Sequence, residues 1–127
     1  MSLSVAEHIN KKLSSNVELT EMVGDRLYPV AVKENIECPF IVYERESVVP
    51  NSTKDGTEGD TVTENVFVFA ETYGQSVKIA EIVRDALDGS QGSYSIFTID
   101  ECDFVDAAET YEDGVYVQQL VFNITTF

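Results

Sequence analysis

Two short segments give the clearest structural signals in this chain: Gly-Asp-Arg-Leu-Tyr-Pro at residues 24–29 and Pro-Phe-Ile-Val-Tyr at residues 39–43. Gly24 suits the position just past the end of a helix, because a left-handed backbone conformation costs little only for glycine. The residues after it predict an extended segment, and Pro29, which lacks a backbone N–H, favours the edge of a sheet. The second segment predicts a strand entered through Pro39. Together they indicate a chain that passes from helices into a sheet.

Apolar spacing and turn residues predict the remaining elements. Helices are expected at residues 3–13, 17–23 and 75–87, where apolar side chains recur every three or four positions. Strands are expected at residues 27–32, 40–49, 61–72, 94–99 and 115–127. The polar residues 50–60 predict a long loop that joins two of these strands into an extended hairpin. Residues 100–114 predict an irregular acidic segment, with a strand around Phe104-Val105 as the alternative.

This order of elements predicts an α+β fold: an antiparallel (mixed) sheet with a long β-hairpin, packed against two or three helices on one face. The 127 residues are enough for one domain with its own core, so a single domain spanning residues 1–127 is expected. Neither an internal repeat nor a linker interrupts the pattern.

The chain is strongly acidic, with 23 acidic and 8 basic residues and a formal net charge of −15. No Lys or Arg follows Arg84. Because nonspecific binding of nucleic acid depends on basic side chains that neutralise phosphates, this surface is expected to repel DNA. Anionic membrane surfaces are disfavoured for the same reason. The first residues lack the features of a signal peptide, so we expect a reducing cytoplasm in which both cysteines are free thiols.

Catalytic and metal-binding patterns are missing from the sequence. His8 is the only histidine, and no residues around it form a nucleophile with its base. Together with His8, Cys38 and Cys102 do not supply a zinc site. The acidic segments 55–60 and 100–103 do not follow the alternating ligand spacing of a calcium-binding loop. We therefore predict no enzyme activity, no cofactor and no metal site.

Several segments, taken in order, resemble a family of small phage and prophage proteins. They are residues 24–29, residues 39–43, the strand–helix unit that runs from Val-Phe-Val-Phe-Ala-Glu-Thr-Tyr at residues 66–73 to Leu87, and the closing strand from Tyr111 to Ile124. The family is that of the tail-completion or tail-terminator proteins of long-tailed bacteriophages, also called head–tail joining proteins. The resemblance covers roughly residues 3–127.

The resemblance implies a structural role. Proteins of this family form rings, commonly hexamers, at the head-proximal end of the tail tube, where they stop tube growth and offer the surface on which the filled head docks. The implied partners are other copies of the chain, tail-tube proteins and head-completion proteins. The implied locations are the host cytoplasm during assembly and then the neck of the virion. DNA would pass through the ring without being bound specifically, and no membrane is involved.

The acidic surplus would suit such a ring, because a negative lumen lets DNA pass without holding it. Residues at a subunit interface or along the channel are therefore expected in two acidic clusters. They are Lys54, Asp55, Glu58, Asp60, Asp100, Glu101, Asp103 and Asp106. The alternative that both clusters simply face solvent stays open. So does a different function, that of a small acidic intracellular module that binds a basic protein without catalysis; an enzyme built on carboxylates is the least favoured reading.

Overall fold

The computed structural model describes residues 2–32, 36–53 and 56–126. A short 3-10 turn, Ser2–Ser4, precedes the helices α1 (Ala6–Ser14), α2 (Val17–Val23) and α3 (Tyr73–Leu87). The strands are β1 (Leu27–Pro29), β2 (Phe40–Thr53), β3 (Gly56–Ala70), β4 (Gly92–Ser93), β5 (Thr98–Glu112) and β6 (Val115–Thr126). None of the described helices has the length and apolar character that crossing a bilayer requires.

The strands form one mixed sheet in the order β1-β2-β3-β6-β5-β4, in which β1 runs parallel to β2 and the other neighbours are antiparallel. The sheet curls into a half-barrel. Helices α1 and α3 lie against one of its faces, and α2 packs beside them. The predicted α+β class, with a long hairpin and helices on one face, is confirmed. The edge position expected around Pro29 is also confirmed, since β1 is the first strand of the sheet.

Local chemistry explains how the chain passes from helix to strand. Asn16 begins α2, because its side-chain oxygen accepts a hydrogen bond from the Leu19 backbone N–H at 2.9 Å. Gly24 ends the same helix with a φ of 61°, in the left-handed region that glycine favours. The Arg26 Nε then donates a hydrogen bond to the backbone carbonyl of Pro39 at 2.9 Å, which joins residues 24–29 to residues 39–43.

The hydrophobic core lies between the helices and the sheet. Its fully buried helical side chains are Ile9, Leu13, Leu19, Val23, Ile79, Val83 and Leu87. The sheet contributes Ile41, Val62, Val66, Val68, Leu120, Phe122 and Ile124. Burying one side chain of this size is worth about 1.5–3 kcal/mol, so this layer is the main source of stability. Because strand side chains alternate between faces, the opposite face of the sheet carries a separate set of residues.

The first hairpin is longer than its sequence predicts. Cross-strand pairs between β2 and β3 run from Phe40 with Phe69 to Thr53 with Gly56, so the expected loop at residues 50–60 is wrong. The polar residues of this stretch still suit an extended backbone, because threonine is β-branched and the ladder satisfies the backbone groups.

A second long hairpin, formed by β5 and β6, is absent from the sequence-based expectations. The irregular segment expected at residues 100–114 is wrong, since β5 runs through this range to Glu112. The strand expected at residues 94–99 is confirmed only at Thr98 and Ile99, where β5 begins. Asp113 and Gly114, which join β5 to β6, have φ values of 51° and 82°. Positive φ at both residues is the pattern of a two-residue hairpin turn. Two register shifts within β5 interrupt its alternation and conceal the strand.

Candidate assembly surface

The face of the sheet opposite the helices, here called the open face, carries its own apolar patch. Phe40 pairs with Phe69 and Val42 with Phe67 between β2 and β3, and Phe69 pairs with Val117 between β3 and β6. Directly paired residues project from the same side of an antiparallel sheet. These five side chains therefore lie together, on the side away from the helices.

Four aromatic rings follow one another across the open face, and we call them the aromatic row: Tyr28, Phe40, Phe69 and Phe67. The ring centroids of Tyr28 and Phe40 are 6.3 Å apart, those of Phe40 and Phe69 are 4.6 Å apart and stacked, and those of Phe67 and Phe69 are 6.5 Å apart. Phe40 is only 9% exposed, which shows that the rings already shield one another. The row is a contiguous apolar surface with no described helix lying on it.

Acidic residues border the open face on β5. Glu101, Asp103 and Asp106 each pair with a residue of β6 whose side chain belongs to the open face. Their carboxylates therefore project on the same side as the aromatic row, and all three are exposed. Asp100 is exposed as well and sits at a register shift, where its backbone carbonyl accepts a hydrogen bond from Gln91 Nε2 at 2.9 Å. The four predicted acids of this segment thus lie along one strand.

The second predicted cluster is described only in part. Lys54 and Asp55 lie outside the described residues. For Glu58 the structure describes the backbone within β3 but not the side chain. Asp60 is half-buried, and its backbone carbonyl accepts a hydrogen bond from the Thr126 hydroxyl at 3.4 Å.

The order of the strands brings acids of the two clusters to one end of the sheet. Asp60 of β3 pairs with Thr126 of β6, and the other neighbour of Thr126 is Ile99 of β5. Asp60 therefore lies two strand spacings, about 10 Å, from β5 at the level of Asp100 and Glu101. The sequence alone conceals this proximity, because β6 comes last in the chain and yet lies between β3 and β5.

The sequence analysis missed the aromatic row, although a signal for it is present. Residues 66–70, Val-Phe-Val-Phe-Ala, form an unbroken apolar run, which is typical of a strand covered on both faces. Val66 and Val68 are fully buried under the helices, whereas Phe67 and Phe69 remain partly exposed on the open face. The helices thus cover Val66 and Val68, whereas no described helix covers Phe67 and Phe69.

His8 is fully buried and has both ring nitrogens occupied. Nδ1 shares a hydrogen bond with the Tyr94 hydroxyl at 2.7 Å, and Nε2 shares one with the Ser90 hydroxyl at 2.9 Å. Burial, followed by the charges of Lys12 and Lys11, lowers the pKa of His8 to about 4, so the ring is neutral near pH 7. These contacts tie α1 to the segment after α3. With no exposed surface and both nitrogens engaged, the ring serves as a cross-link of the fold and not as a base for a nucleophile.

Glu64 is a buried carboxylic acid on the helix side of the sheet. It is 1% exposed, and burial raises the pKa of its carboxyl to about 7, with the charge of Arg45 acting in the opposite direction. Its Oε2 has no hydrogen-bond partner among the described residues. Among all the described residues, no group of three His, Cys, Asp or Glu side chains is placed to hold a metal ion.

Comparison with known proteins agrees with the resemblance noted in the sequence. A family model described as "Tail completion protein gp17" matches residues 7–127. Among solved structures, one chain of "Virion of native gene transfer agent (GTA) particle" is similar, with a TM-score of 0.83 and 20% sequence identity over 93% of this chain and 90% of that chain. At this identity the likeness concerns the fold. No curated protein matches the sequence significantly.

Proposed function

Because the chain belongs to the tail completion protein gp17 family, and so to the structural proteins of phage tails, we propose that it closes the head-proximal end of the tail tube. In this proposal, copies of the chain form a ring, a hexamer, that stops the growth of the tube and offers the docking surface for the filled head. The ring assembles in the host cytoplasm and ends in the neck of the virion. Its partners are other copies, tail-tube proteins and head-completion proteins.

The observation that carries this proposal is the aromatic row, in which Tyr28, Phe67 and Phe69 keep part of their surface exposed and on which no described helix packs. Contiguous exposed apolar surface is uncommon on proteins that act alone and marks sites of association. Aromatic side chains are also the residue type most enriched at the centre of protein interfaces. Because proteins of this family act by assembly, another protein subunit would cover this face.

The edges of the sheet support a ring that closes head to tail. The 14-residue β2 pairs with β1 only at Ile41, Val42 and Tyr43, and the 15-residue β5 pairs with β4 only at Thr98 and Ile99. Most of each outer edge therefore has no neighbouring strand among the described residues. Unpaired edges are templates for pairing with another chain. Two different edges on one subunit suit the heterologous contacts from which cyclic rings are built.

The acidic end of the sheet supports the passage of DNA. Asp60 pairs with Thr126 and therefore projects toward the helix side, whereas Glu101, Asp103 and Asp106 follow one another along β5 on the open face. Facing a channel, these carboxylates would repel phosphates and keep DNA from adhering to the wall.

Replacing the two rings that β3 contributes to the aromatic row tests the proposal. Phe67→Ser with Phe69→Ser should prevent the protein from forming ring-sized particles and from capping purified tail tubes, as seen by light scattering and negative-stain electron microscopy. Ile96→Ser is the matched control, because Ile96 is a 52% exposed apolar residue on the loop before β5. Capping by the folded double variant at the level of the control would contradict the proposal.

Charge reversal on β5 tests the channel separately. Asp103→Lys with Asp106→Lys should hinder DNA passage and lower infectivity without preventing tube capping. Glu18→Lys on α2, an exposed acid on the helix side, is the control. Unchanged infectivity would remove the β5 acids from the channel. A strictly monomeric protein that ignores tail tubes and instead forms a salt-sensitive complex with a basic protein would favour the acidic binding module.

A further inference from the structure

A small pocket on the helix side of the sheet is lined by three tyrosines, which come from three different elements. Tyr73 lies in the first turn of α3, Tyr111 near the end of β5 and Tyr116 near the start of β6. The pocket has a volume of about 230 Å³ and is open to solvent. We call it the tyrosine pocket. It is separate from the aromatic row, which lies on the other face.

The three rings form the walls of a cage. Tyr73 and Tyr116 meet edge to face with centroids 5.8 Å apart, and Tyr111 and Tyr116 are 4.7 Å apart at an angle of 56°. Tyr73 is 50% exposed and Tyr111 is 58% exposed, so ring faces remain available to a ligand. Faces of aromatic rings carry negative electrostatic potential and attract cations.

A carboxylate completes the wall of the pocket. Glu109 Oε1 accepts a hydrogen bond from the Tyr73 hydroxyl at 3.3 Å, and Oε2 accepts one from Gln118 Nε2 at 2.9 Å. The Gln118 amide also donates to the Ser76 hydroxyl at 3.2 Å, which holds it in place. A carboxylate offers about four lone-pair sites, so two remain for a ligand. Glu109 is therefore oriented and still able to accept.

No Lys or Arg among the described residues serves this pocket. Elsewhere the protein pairs its rings with its own basic residues, since Lys11 lies over Tyr94 at 5.3 Å and Arg84 over Phe104 at 4.1 Å. Within the described residues, neither Glu109 nor the three tyrosines contact a Lys or Arg, and the sequence has none after Arg84. The pocket thus combines the features of a cation site with no cation of its own.

We propose that the tyrosine pocket binds the guanidinium group of an arginine side chain on a different protein. A guanidinium is flat enough to stack on the rings and presents paired donors to the Glu109 carboxylate, a match that an ammonium lacks. A second copy is a poor source, because each copy carries −15 and its three arginines are already engaged: Arg26 with the Pro39 carbonyl, Arg45 with the Leu3 carbonyl, and Arg84 with Phe104. The partner's place in the phage neck rests on the proposed function.

Nuclear magnetic resonance of the tyrosine rings tests this with the peptide acetyl-Gly-Arg-Gly-amide. Saturable shifts of the Tyr73, Tyr111 and Tyr116 ring signals are expected, whereas the isosteric citrulline peptide, which lacks the charge, should cause none. Tyr111→Leu and Glu109→Gln should each weaken binding at least fivefold. Tyr111→Phe should keep it, and Tyr28→Leu on the other face is the control.

Three results would overturn the inference: equal shifts with citrulline, shifts that both pocket variants leave unchanged, or concentration-dependent shifts of the same rings in the protein alone, which would assign the pocket to a second copy. Failure here is distinct from failure of the proposed function. The peptide titration does not involve tail tubes, and the capping test with the aromatic-row variants does not involve the tyrosine pocket.

Discussion

His8 and Glu64 are both buried titratable residues, yet the fold treats them in opposite ways. His8 has a hydrogen-bond partner at each nitrogen and a pKa lowered to about 4. Glu64 has one oxygen without a described partner and a pKa raised to about 7. Arg45, whose charge would favour the Glu64 carboxylate, donates instead to the Leu3 carbonyl at 2.9 Å. The neutral His8 ring has a hydrogen-bond partner at each nitrogen, whereas the charge of the Glu64 carboxylate is poorly compensated near pH 7.

The two sites also respond to pH with opposite signs. The folded pKa of His8 lies below its ordinary value of 6.5, so its contribution to stability is present above that pH and is lost as pH falls toward 4. The folded pKa of Glu64 lies above its ordinary value of 4.5, so its contribution is present below that pH and is lost as pH rises through about 7. Between pH 4.5 and 6.5 the two contributions oppose each other, and wild-type stability conceals both.

Removing the satisfied site should have the largest effect. His8→Ala leaves a cavity between α1 and the segment after α3 and takes a partner from Tyr94 and Ser90. The free energy of unfolding at pH 7.5 should fall by about 3–4 kcal/mol, measured by urea denaturation. Glu7→Ala, at the exposed neighbouring position, is the control. A loss no greater than that of the control would show that the His8 contacts do not stabilise the fold.

Neutralising the unsatisfied site should stabilise the protein. Glu64→Gln keeps the shape of the side chain and removes the buried charge, so the free energy of unfolding at pH 8 should rise by about 2–3 kcal/mol. At pH 4.5 the carboxyl is protonated in the folded state, and little change is expected. Glu46→Gln, an exposed acid on the neighbouring strand, is the control. An equal effect at both pH values would contradict the raised pKa of Glu64.

Neither site could be assigned from the sequence, because no local pattern shows which face of a helix or strand the rest of the chain covers. Within β3 the alternation of Val66, Phe67, Val68 and Phe69 predicts a strand, but nothing local shows which face the helices cover. The second hairpin has its signal in Asp113-Gly114, a dipeptide that favours a two-residue turn. The acids of β5 instead favour an irregular segment, because charged residues usually indicate solvent-exposed loops. A strand whose outer face meets water or a partner can carry them equally well.

The sequence groups the acids of β5 by charge, and their place at an interface or a channel stays a prediction. Asp100, Glu101, Asp103 and Asp106 were predicted from charge alone, and the structure brings them to one strand. Their approach to Asp60 depends on β6 lying between β3 and β5, which no local pattern encodes. The tyrosine pocket depends on the same pairing, since Tyr111 and Tyr116 face each other across the hairpin.

A double variant can separate the opposing pH-dependent contributions of His8 and Glu64 to stability. Of the two buried groups, only His8 is left to titrate between pH 4.5 and 6.5 in the Glu64→Gln variant. In the variant that also carries His8→Ala, both groups are absent. The difference in the free energy of unfolding between these two proteins should therefore grow by about 2 kcal/mol from pH 4.5 to pH 6.5. The other carboxylates are common to both proteins and cancel. A constant difference over this range would mean that the pKa of His8 is not lowered by folding.

The smallest effect is expected from removing a single hydroxyl at the satisfied site. Tyr94→Phe keeps the ring stacked on Phe97, whose centroid is 4.8 Å away, but leaves His8 Nδ1 without the hydrogen bond of 2.7 Å. The free energy of unfolding should fall by about 1 kcal/mol, whereas Tyr28→Phe on the open face should change it by less. If Tyr94→Phe matched Tyr28→Phe, the hydrogen bond from Tyr94 would add nothing to the stability of the site, and the ring contacts and the hydrogen bond with Ser90 would hold His8.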